Sequence, residues 1–212
     1  MSYAAEFVRI SVAHLLAVAA PGPDFAIVLR QSLTQGRRAG IMTALGIATG
    51  LTMHVTYSLF GVGILIARAP TVFIAIKWAG AAYLAWLGIQ SIRASARPIP
   101  AAESAPAPAA GRRGDAACYR AGLFTNALNP KVTLFFVAIF ATLVSPLTPT
   151  HIRILYGAWV CLVTAVWFIA VATLFTHEPV RRGFLRLGPW IDRTLGVVFI
   201  GFAALLAAAS LK

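Results

Sequence analysis

The sequence predicts an all-α integral membrane protein in which six transmembrane helices form two inverted three-helix repeats, with helices 1 and 4 broken. Three observations predict this fold: an apolar composition, six long apolar runs, and two proline motifs that interrupt matching runs. Of the 212 residues, 59% are hydrophobic and 11% are charged, whereas soluble domains are about 45–50% apolar with about 25% charge. The composition therefore excludes an ordinary soluble protein.

Apolar runs of about 20 residues are long enough to cross a bilayer as helices. The chain contains six such runs, at residues 4–33, 39–66, 70–92, 119–145, 152–175 and 190–211. Because each half of the chain has three spans, an odd number, the second half is expected to be inverted relative to the first, as in many secondary transporters. We therefore predict a single membrane domain over residues 1–212, with one repeat at 1–93 and the other at 118–212.

The segment between the two halves has the composition of a linker. Residues 94–117 contain four prolines among alanines, followed by a Gly-Arg-Arg-Gly sequence. Such a segment cannot form a membrane helix, and chains of this composition are flexible and partly extended. We expect a flexible cytoplasmic linker that carries no chemistry.

The net charge of +12 does not indicate nucleic-acid binding, because a nucleic-acid-binding protein clusters its basic residues on one folded surface. Here the basic residues lie in short connections between apolar runs. Connections 1–2, 3–4 and 5–6 share one side of the membrane, and the positive-inside rule makes that side cytoplasmic. Both termini should then lie outside. These connections hold Arg30, Arg37, Arg38, Arg93, Arg97, Arg112, Arg113, Arg120, Arg181, Arg182, Arg186 and Arg193.

Two motifs break the apolar runs at corresponding places in the two halves. Pro-Gly-Pro-Asp at residues 21–24 interrupts the first run, and Asn-Pro-Lys at residues 129–131 interrupts the fourth. The other prolines, including Pro189, lie between runs or at their ends. Proline removes a backbone donor, and unsatisfied backbone groups in lipid are so costly that breaks occur only where protein or a polar cavity covers them. Paired breaks therefore indicate a transporter's binding site.

The half-helices after the breaks, at residues 24–35 and 131–145, should both begin at mid-depth. Helix N-termini carry unsatisfied N–H groups, so two such ends would bind an anion, for example a carboxylate.

Asp24 could hold a substrate ammonium group, cap its helix or carry a proton. It is the only acid clearly inside a predicted span, which makes it the candidate for proton coupling. Lys131 could hold a carboxylate or pair with Asp24. Asn126 and Asn129 could satisfy freed backbone groups or contact substrate.

Other polar and small residues in the spans give weaker signals. His14 and His54 lie in apolar runs, where a lone histidine is more often structural than a proton relay. Lys77 lies near the end of the third run, from which its side chain could extend to the interface. Gly46 and Gly50 permit close helix contact, which favours packing within the chain over a homodimer interface without excluding the latter.

Three segments resemble the LysE/RhtB family of amino-acid exporters: PGPDFAIVLRQSLTQGRRAGIMTALGIATG at 21–50, KWAGAAYLAWLGI at 77–89, and NALNPKVTLFFVAIF at 126–140. The resemblance implies a bacterial inner-membrane exporter of amino acids or close derivatives, driven by the proton gradient. The chain departs from the family at residues 141–142, a region that often holds a proline. The substrate-binding residues implied by the resemblance are Pro21, Gly22, Pro23, Asp24, Asn129, Pro130 and Lys131, and we add Asn126 from its place before the second break.

Three alternative functions can be derived from the same residues. An intramembrane zinc protease would need an HExxH motif, which is absent, and a Ser–His enzyme could use only Ser58, four residues after His54, without a glycine-flanked serine motif. A transmembrane thiol carrier would need Cys118 and Cys161 to face each other within the spans. A channel would need an acidic ring or filter motif. We therefore expect no enzyme, metal or cofactor, and an amino acid, protons and the lipid bilayer as partners.

Overall fold

The computed structural model describes residues 2–96, 114–145 and 147–208, in which the chain forms eight α-helices and no β-strand. The all-α prediction is confirmed, and most of the predicted linker lies outside the described residues. The helices are α1 (Tyr3–Ala19), α2 (Pro23–Gln35), α3 (Arg37–Arg68), α4 (Pro70–Ala94), α5 (Asp115–Ala127), α6 (Pro130–Leu143), α7 (Thr150–Leu174) and α8 (Glu178–Ala208).

Both predicted breaks are present. The axes of α1 and α2 differ by 53°, and those of α5 and α6 differ by 55°. Each half-helix starts with a proline, Pro23 in α2 and Pro130 in α6, because the first N–H groups of a helix have no intrahelical partner and their loss costs little. The prolines that prevent the preceding helices from continuing thus also begin the half-helices. α6 continues through residues 141–142, where the sequence departs from the family.

Three unbroken helices are long and apolar enough to cross a membrane, namely α7, α8 and the Arg37–Gly61 part of α3. The two bent pairs add two more if each is one broken span. α4 occupies the position of the predicted third span, and its 25 residues are about 37 Å long, but it is not among these helices. Length and composition therefore support three to five spans among the described residues, and the six-span inverted arrangement stays a prediction.

The start of α8 differs from the prediction. The last apolar run was expected to begin at residue 190, with Pro189 outside it, whereas α8 begins at Glu178 and continues through Pro189. This proline lies where the charged first turns of α8 meet its apolar part. At such a boundary, polar groups and water can satisfy the carbonyl that a proline leaves without a donor.

α3 is the central helix and contacts α2, α4, α5, α6 and α7. Its approach to α5 requires glycine on both helices. A Cβ atom would lie 2.0 Å from the Tyr119 carbonyl oxygen if placed on Gly46, and 2.0 Å from the Thr43 carbonyl oxygen if placed on Gly122. Small residues permit such backbone contact between membrane helices. The glycines of the second predicted span thus pack within the chain.

Side-chain contacts show that the two half-helices point to opposite ends of the molecule. α2 leads to Arg38, which forms an ion pair of 2.6 Å with Asp115 at the start of α5. α6 leads to Ser145, whose N–H donates to the Glu6 carboxylate of α1 at 3.1 Å. Since Glu6 and Arg38 lie at opposite ends of the broken α1–α2 pair, α2 and α6 run in opposite directions from the breaks.

Candidate functional site

Both breaks border one cavity, in which the space open to the centres of water-sized spheres is about 60 Å³, enough for several water molecules. Side chains from α1, α2, α3, α5, α6 and α7 line it. Six of the eight predicted binding residues are in its wall: Gly22, Pro23, Asp24, Asn126, Asn129 and Lys131. Pro21 and Pro130 are exposed and do not line it. These two prolines shape the breaks but do not form the wall.

The first break leaves a helix N-terminus with open donors. The N-cap of α2 is Gly22, which has no side chain to cap the helix. The Ala26 N–H donates to the Gly22 carbonyl at 2.8 Å. The preceding N–H groups, those of Asp24 and Phe25, have no acceptor among the hydrogen bonds of the described residues. Open N–H groups at a helix N-terminus attract anions.

Asp24 does not cap α2, one of the roles that the sequence left open. Its Oδ2 accepts a hydrogen bond of 2.9 Å from Nδ2 of Asn126, which comes from the second break. The other oxygens of this pair, Oδ1 of Asp24 and Oδ1 of Asn126, are buried and have no donor in the part of the chain that the structure describes. Because an unsatisfied buried acceptor costs about 1–3 kcal/mol, these two acceptors suit a cationic ligand with several N–H groups.

The second break satisfies its own backbone. Asn129 caps α6, since its Oδ1 accepts from the Lys131 N–H at 3.0 Å. Its carbonyl accepts from the Val132 and Thr133 N–H groups at 3.1 and 3.2 Å. The prediction that both helix N-termini offer free N–H groups is therefore wrong for α6, because the side chain and carbonyl of one asparagine occupy all three donors that follow Pro130.

The second break instead contributes the ammonium group of Lys131. In the described residues this group has no hydrogen bond or ion pair, so the direct Asp24–Lys131 pair considered from the sequence is not formed. It lies 5.2 Å from the ring centroid of Phe199 and 3.8 Å from the Cβ position of Gly22. It is within electrostatic reach of Asp24 and Asp192. A cation in the wall of the cavity can bind a carboxylate.

Sequence reasoning missed a polar pair that also lines the cavity. His14 Nε2 of α1 lies 3.0 Å from Thr164 Oγ1 of α7, and both residues line the cavity beside the aromatic rings of Phe135, Phe136 and Phe168. The polar pair joins positions 150 residues apart. No local pattern pairs positions so distant, although the histidine itself stood out as a polar residue in an apolar run.

Asp24 is not the only acid buried within the helices. Glu6 of α1 is 1% exposed, and its carboxylate accepts hydrogen bonds from the hydroxyl groups of Thr148 and Tyr156 at 2.8 and 3.3 Å as well as from Ser145. It does not line the cavity. The hydrogen bonds of Glu6 therefore join α1 to the α6–α7 connection, which is a structural role.

The geometry does not favour the alternative functions. Both ring nitrogens of His54 bond to residues other than Ser58, whose hydroxyl has no partner among the described residues. No group of three or more His, Cys, Asp or Glu side chains in those residues could hold a metal ion. Cys118 and Cys161 lie on different helices, α5 and α7, and form no disulfide bond.

Comparison with known proteins gives one consistent result. The sequence profile described as LysE type translocator matches residues 15–210. The threonine efflux protein of Escherichia coli strain K12 is 33% identical over 196 residues, which cover 92% of this chain and 94% of that protein. The homoserine/homoserine lactone efflux protein of Salmonella typhimurium strain LT2 is 30% identical over 202 residues, 89% of each. No solved structure matches the chain.

Proposed function

Because this chain belongs to the family of LysE type translocators, we propose that it is a secondary transporter of the bacterial inner membrane that exports amino acids or close derivatives from the cytoplasm. The cavity between the two breaks is the substrate site. One observation carries this proposal: the cavity is lined by Asp24 and Asn126, each with a buried oxygen that has no donor among the described residues, and by the cationic Lys131.

These groups complement the two charged ends of an amino acid. The substrate ammonium group would donate to Asp24 Oδ1 and Asn126 Oδ1. The substrate carboxylate would accept from Lys131 and from the open N–H groups at the start of α2. Hydrogen bonds with one ionised partner are about twice as strong as neutral ones, so the site would hold both ends of a zwitterion.

The remaining wall suits a small uncharged side chain with a hydroxyl group. His14 and Thr164 are polar, whereas Phe135, Phe136 and Phe168 are apolar. The relatives are named as threonine efflux and homoserine/homoserine lactone efflux proteins, and both amino acids carry a hydroxyl group. We therefore propose neutral hydroxyl amino acids as the substrate class.

Proton coupling is assigned to Asp24. Within the described ranges it is the only carboxylate that lines the cavity, and one of its oxygens faces the proposed ammonium position. A proton taken up from the outer side would neutralise the carboxylate and release the ammonium group there. The empty site would then return the proton to the cytoplasm, so each substrate leaves as a proton enters.

Two contacts support the predicted orientation. Arg38 pairs with Asp115, and Arg193 of α8 donates to the Ser95 hydroxyl after α4 at 3.2 Å. The basic connections 1–2, 3–4 and 5–6 thus meet at one end of the molecule. By the positive-inside rule we propose that this end is cytoplasmic and that both termini lie outside.

The proposal can be tested with purified protein in proteoliposomes. Labelled threonine should show saturable counterflow, stimulated by a pH gradient that is acidic on the side to which the substrate moves. Lys131→Gln should raise the KM, while Lys77→Gln, outside the cavity, should not. Non-saturable flux would indicate a channel, and no flux of threonine, homoserine or any other amino acid in a panel would contradict the proposal.

A further inference from the structure

We propose that His54 is a positioning residue of the transport site, which holds Asn126 against Asp24 by replacing the hydrogen bond that Pro130 removes. His54 lies on α3 and does not line the cavity. The inference rests on the proposed function and extends the site to a residue that would not contact the substrate.

The need for this residue follows from the second break. In an unbroken helix the Asn126 carbonyl would accept a hydrogen bond from the N–H of residue 130, but Pro130 has no N–H. Two other donors take its place at 2.9 Å each: the N–H of Asn129 and Nε2 of His54. A carbonyl oxygen has two lone pairs, so both bonds form, and α3 thereby fixes the backbone of Asn126.

The hydrogen bonds also fix the histidine ring itself. A carbonyl only accepts, so Nε2 of His54 must carry the hydrogen, and the neutral ring then presents Nδ1 as an acceptor. The hydroxyl groups of Tyr57 and Thr133 lie within hydrogen-bond distance of Nδ1, that of Thr133 at 3.2 Å. His54 is 1% exposed. The ring is therefore held from α3 and α6 in one orientation.

Close packing of α3 on α5 brings the ring to the break. A Cβ atom on Gly50, one turn before His54, would lie 2.9 Å from the Leu123 carbonyl oxygen and 3.1 Å from the Asn126 Cβ atom. A residue without a side chain is needed at this distance. The glycine contact and the His54 hydrogen bond thus act on the same turn of α5.

The effect reaches the cavity through one side chain. Asn126 is 2% exposed, and its Nδ2 donates to Asp24 Oδ2. If the His54 bond is lost, the Asn126 carbonyl loses one of its donors and the residue can rotate away from Asp24. The substrate ammonium group could then no longer bond to Asp24 and Asn126 together.

The test is to measure KM and Vmax of threonine counterflow for His54→Leu and His54→Gln. Leucine has no donor, whereas the glutamine amide can place an N–H near the position of Nε2. We expect His54→Leu to raise the KM about tenfold with little change in Vmax. His54→Gln should have a KM close to that of the wild type. Thr52→Val, on an exposed face of α3 two residues away, is the matched control and should keep the wild-type KM.

A double-mutant cycle with Asn126→Ala distinguishes positioning from a general loss of structure. If His54 acts through the Asn126 side chain, the KM of the double variant should equal that of Asn126→Ala alone. Effects on KM that multiply, or a wild-type KM for His54→Leu, would overturn the inference. If His54→Leu does not reach the membrane, His54→Asn replaces it, because the asparagine amide lies near the position of Nδ1 and not of Nε2. Equal KM values for His54→Asn and His54→Gln would then overturn the inference. Absence of counterflow in the wild type would instead contradict the proposed function.

Discussion

The two breaks begin with the same proline chemistry but treat their backbone groups in opposite ways. At the first break, Gly22 leaves α2 without a side-chain cap, and the N–H groups of Asp24 and Phe25 have no acceptor among the described residues. At the second, Asn129 caps α6 and its backbone N–H groups are satisfied. The positive charge there comes from the Lys131 side chain. Matched breaks are therefore not two copies of one anion site. One contributes backbone donors and a carboxylate, and the other contributes an ammonium group and an amide.

The breaks also differ in how α3 supports them. α3 contacts α5 directly at the second break through Gly46, Gly50 and His54. Its close contact with α2, between Gly40 and Ser32, lies about two turns beyond Asp24, and nearer to the first break it packs apolar side chains in one core cluster with Phe25 and Val28. The start of α2 is thus joined to the second break through the Asp24–Asn126 hydrogen bond. A ligand that binds this pair acts at the junction of the two halves.

The largest effect is expected from removing the support of the second break. Gly46→Ala would place a Cβ atom 2.0 Å from the Tyr119 carbonyl oxygen, and backbone cannot move aside as a flexible side chain can. We expect destabilisation beyond the usual range of about 0.5–3 kcal/mol for point substitutions, seen as loss of monodisperse protein and a lower Tm in detergent. Gly201→Ala is the control, since nothing lies within 4 Å of its Cβ position. Equal Tm values for both variants would show that the α3–α5 contact is not tight.

The next effect concerns the charge that only the first break provides. Asp24→Asn keeps an acceptor for Asn126 but removes the carboxylate, and hydrogen bonds to charged groups contribute about 1.5–3 kcal/mol. We expect gradient-driven export from preloaded cells to fall about 10- to 100-fold. Asp115→Asn is the control, since it removes an acid that does not line the cavity, and it should export normally. Export by Asp24→Asn at the wild-type rate and with the wild-type gradient dependence would remove Asp24 from the coupling role.

A smaller effect should separate capping from substrate contact at Asn129. Asn129→Ala removes the cap of α6, which costs about 1 kcal/mol of stability, while Asn129→Ser keeps a capping oxygen for the backbone N–H groups of α6 without adding a charge. We expect a lower Tm for the alanine variant alone, with a KM for threonine close to that of the wild type in both. A large rise in KM for Asn129→Ala would mean that this residue also contacts the substrate, and the second break would then resemble the first.

The smallest effect is expected at the end of the molecule where the two halves meet in solvent. The side chains of Arg38 and Asp115 are 76% and 40% exposed, and exposed ion pairs contribute little to stability. Arg38→Ala should therefore leave Tm and counterflow unchanged. A fall in Tm of more than about 5 °C, the size that a substantial loss of stability produces, would show that this contact holds the halves together.

Local chemistry predicted where the two breaks lie. Proline removes a backbone N–H and favours a break, and the half-helices were predicted within two residues of their observed starts and ends. Six of the eight predicted residues line the cavity, and their contact with substrate stays a prediction. The same local rule was wrong at Pro189, which lies inside α8, because a helix that emerges into polar surroundings tolerates a proline. The free N–H groups predicted for α6 were wrong because the asparagine before Pro130 occupies them.

The sequence by itself determined that the chain is helical, apolar and broken at two matched places, since hydropathy and proline geometry act over a few residues. Only the tertiary structure decided which groups meet there. The pairs His54–Asn126 and His14–Thr164 join positions 72 and 150 residues apart. Such contacts depend on the rotation of each helix about its axis and on glycine contacts between helices. No local pattern encodes that rotation, because it is set by packing all the helices together.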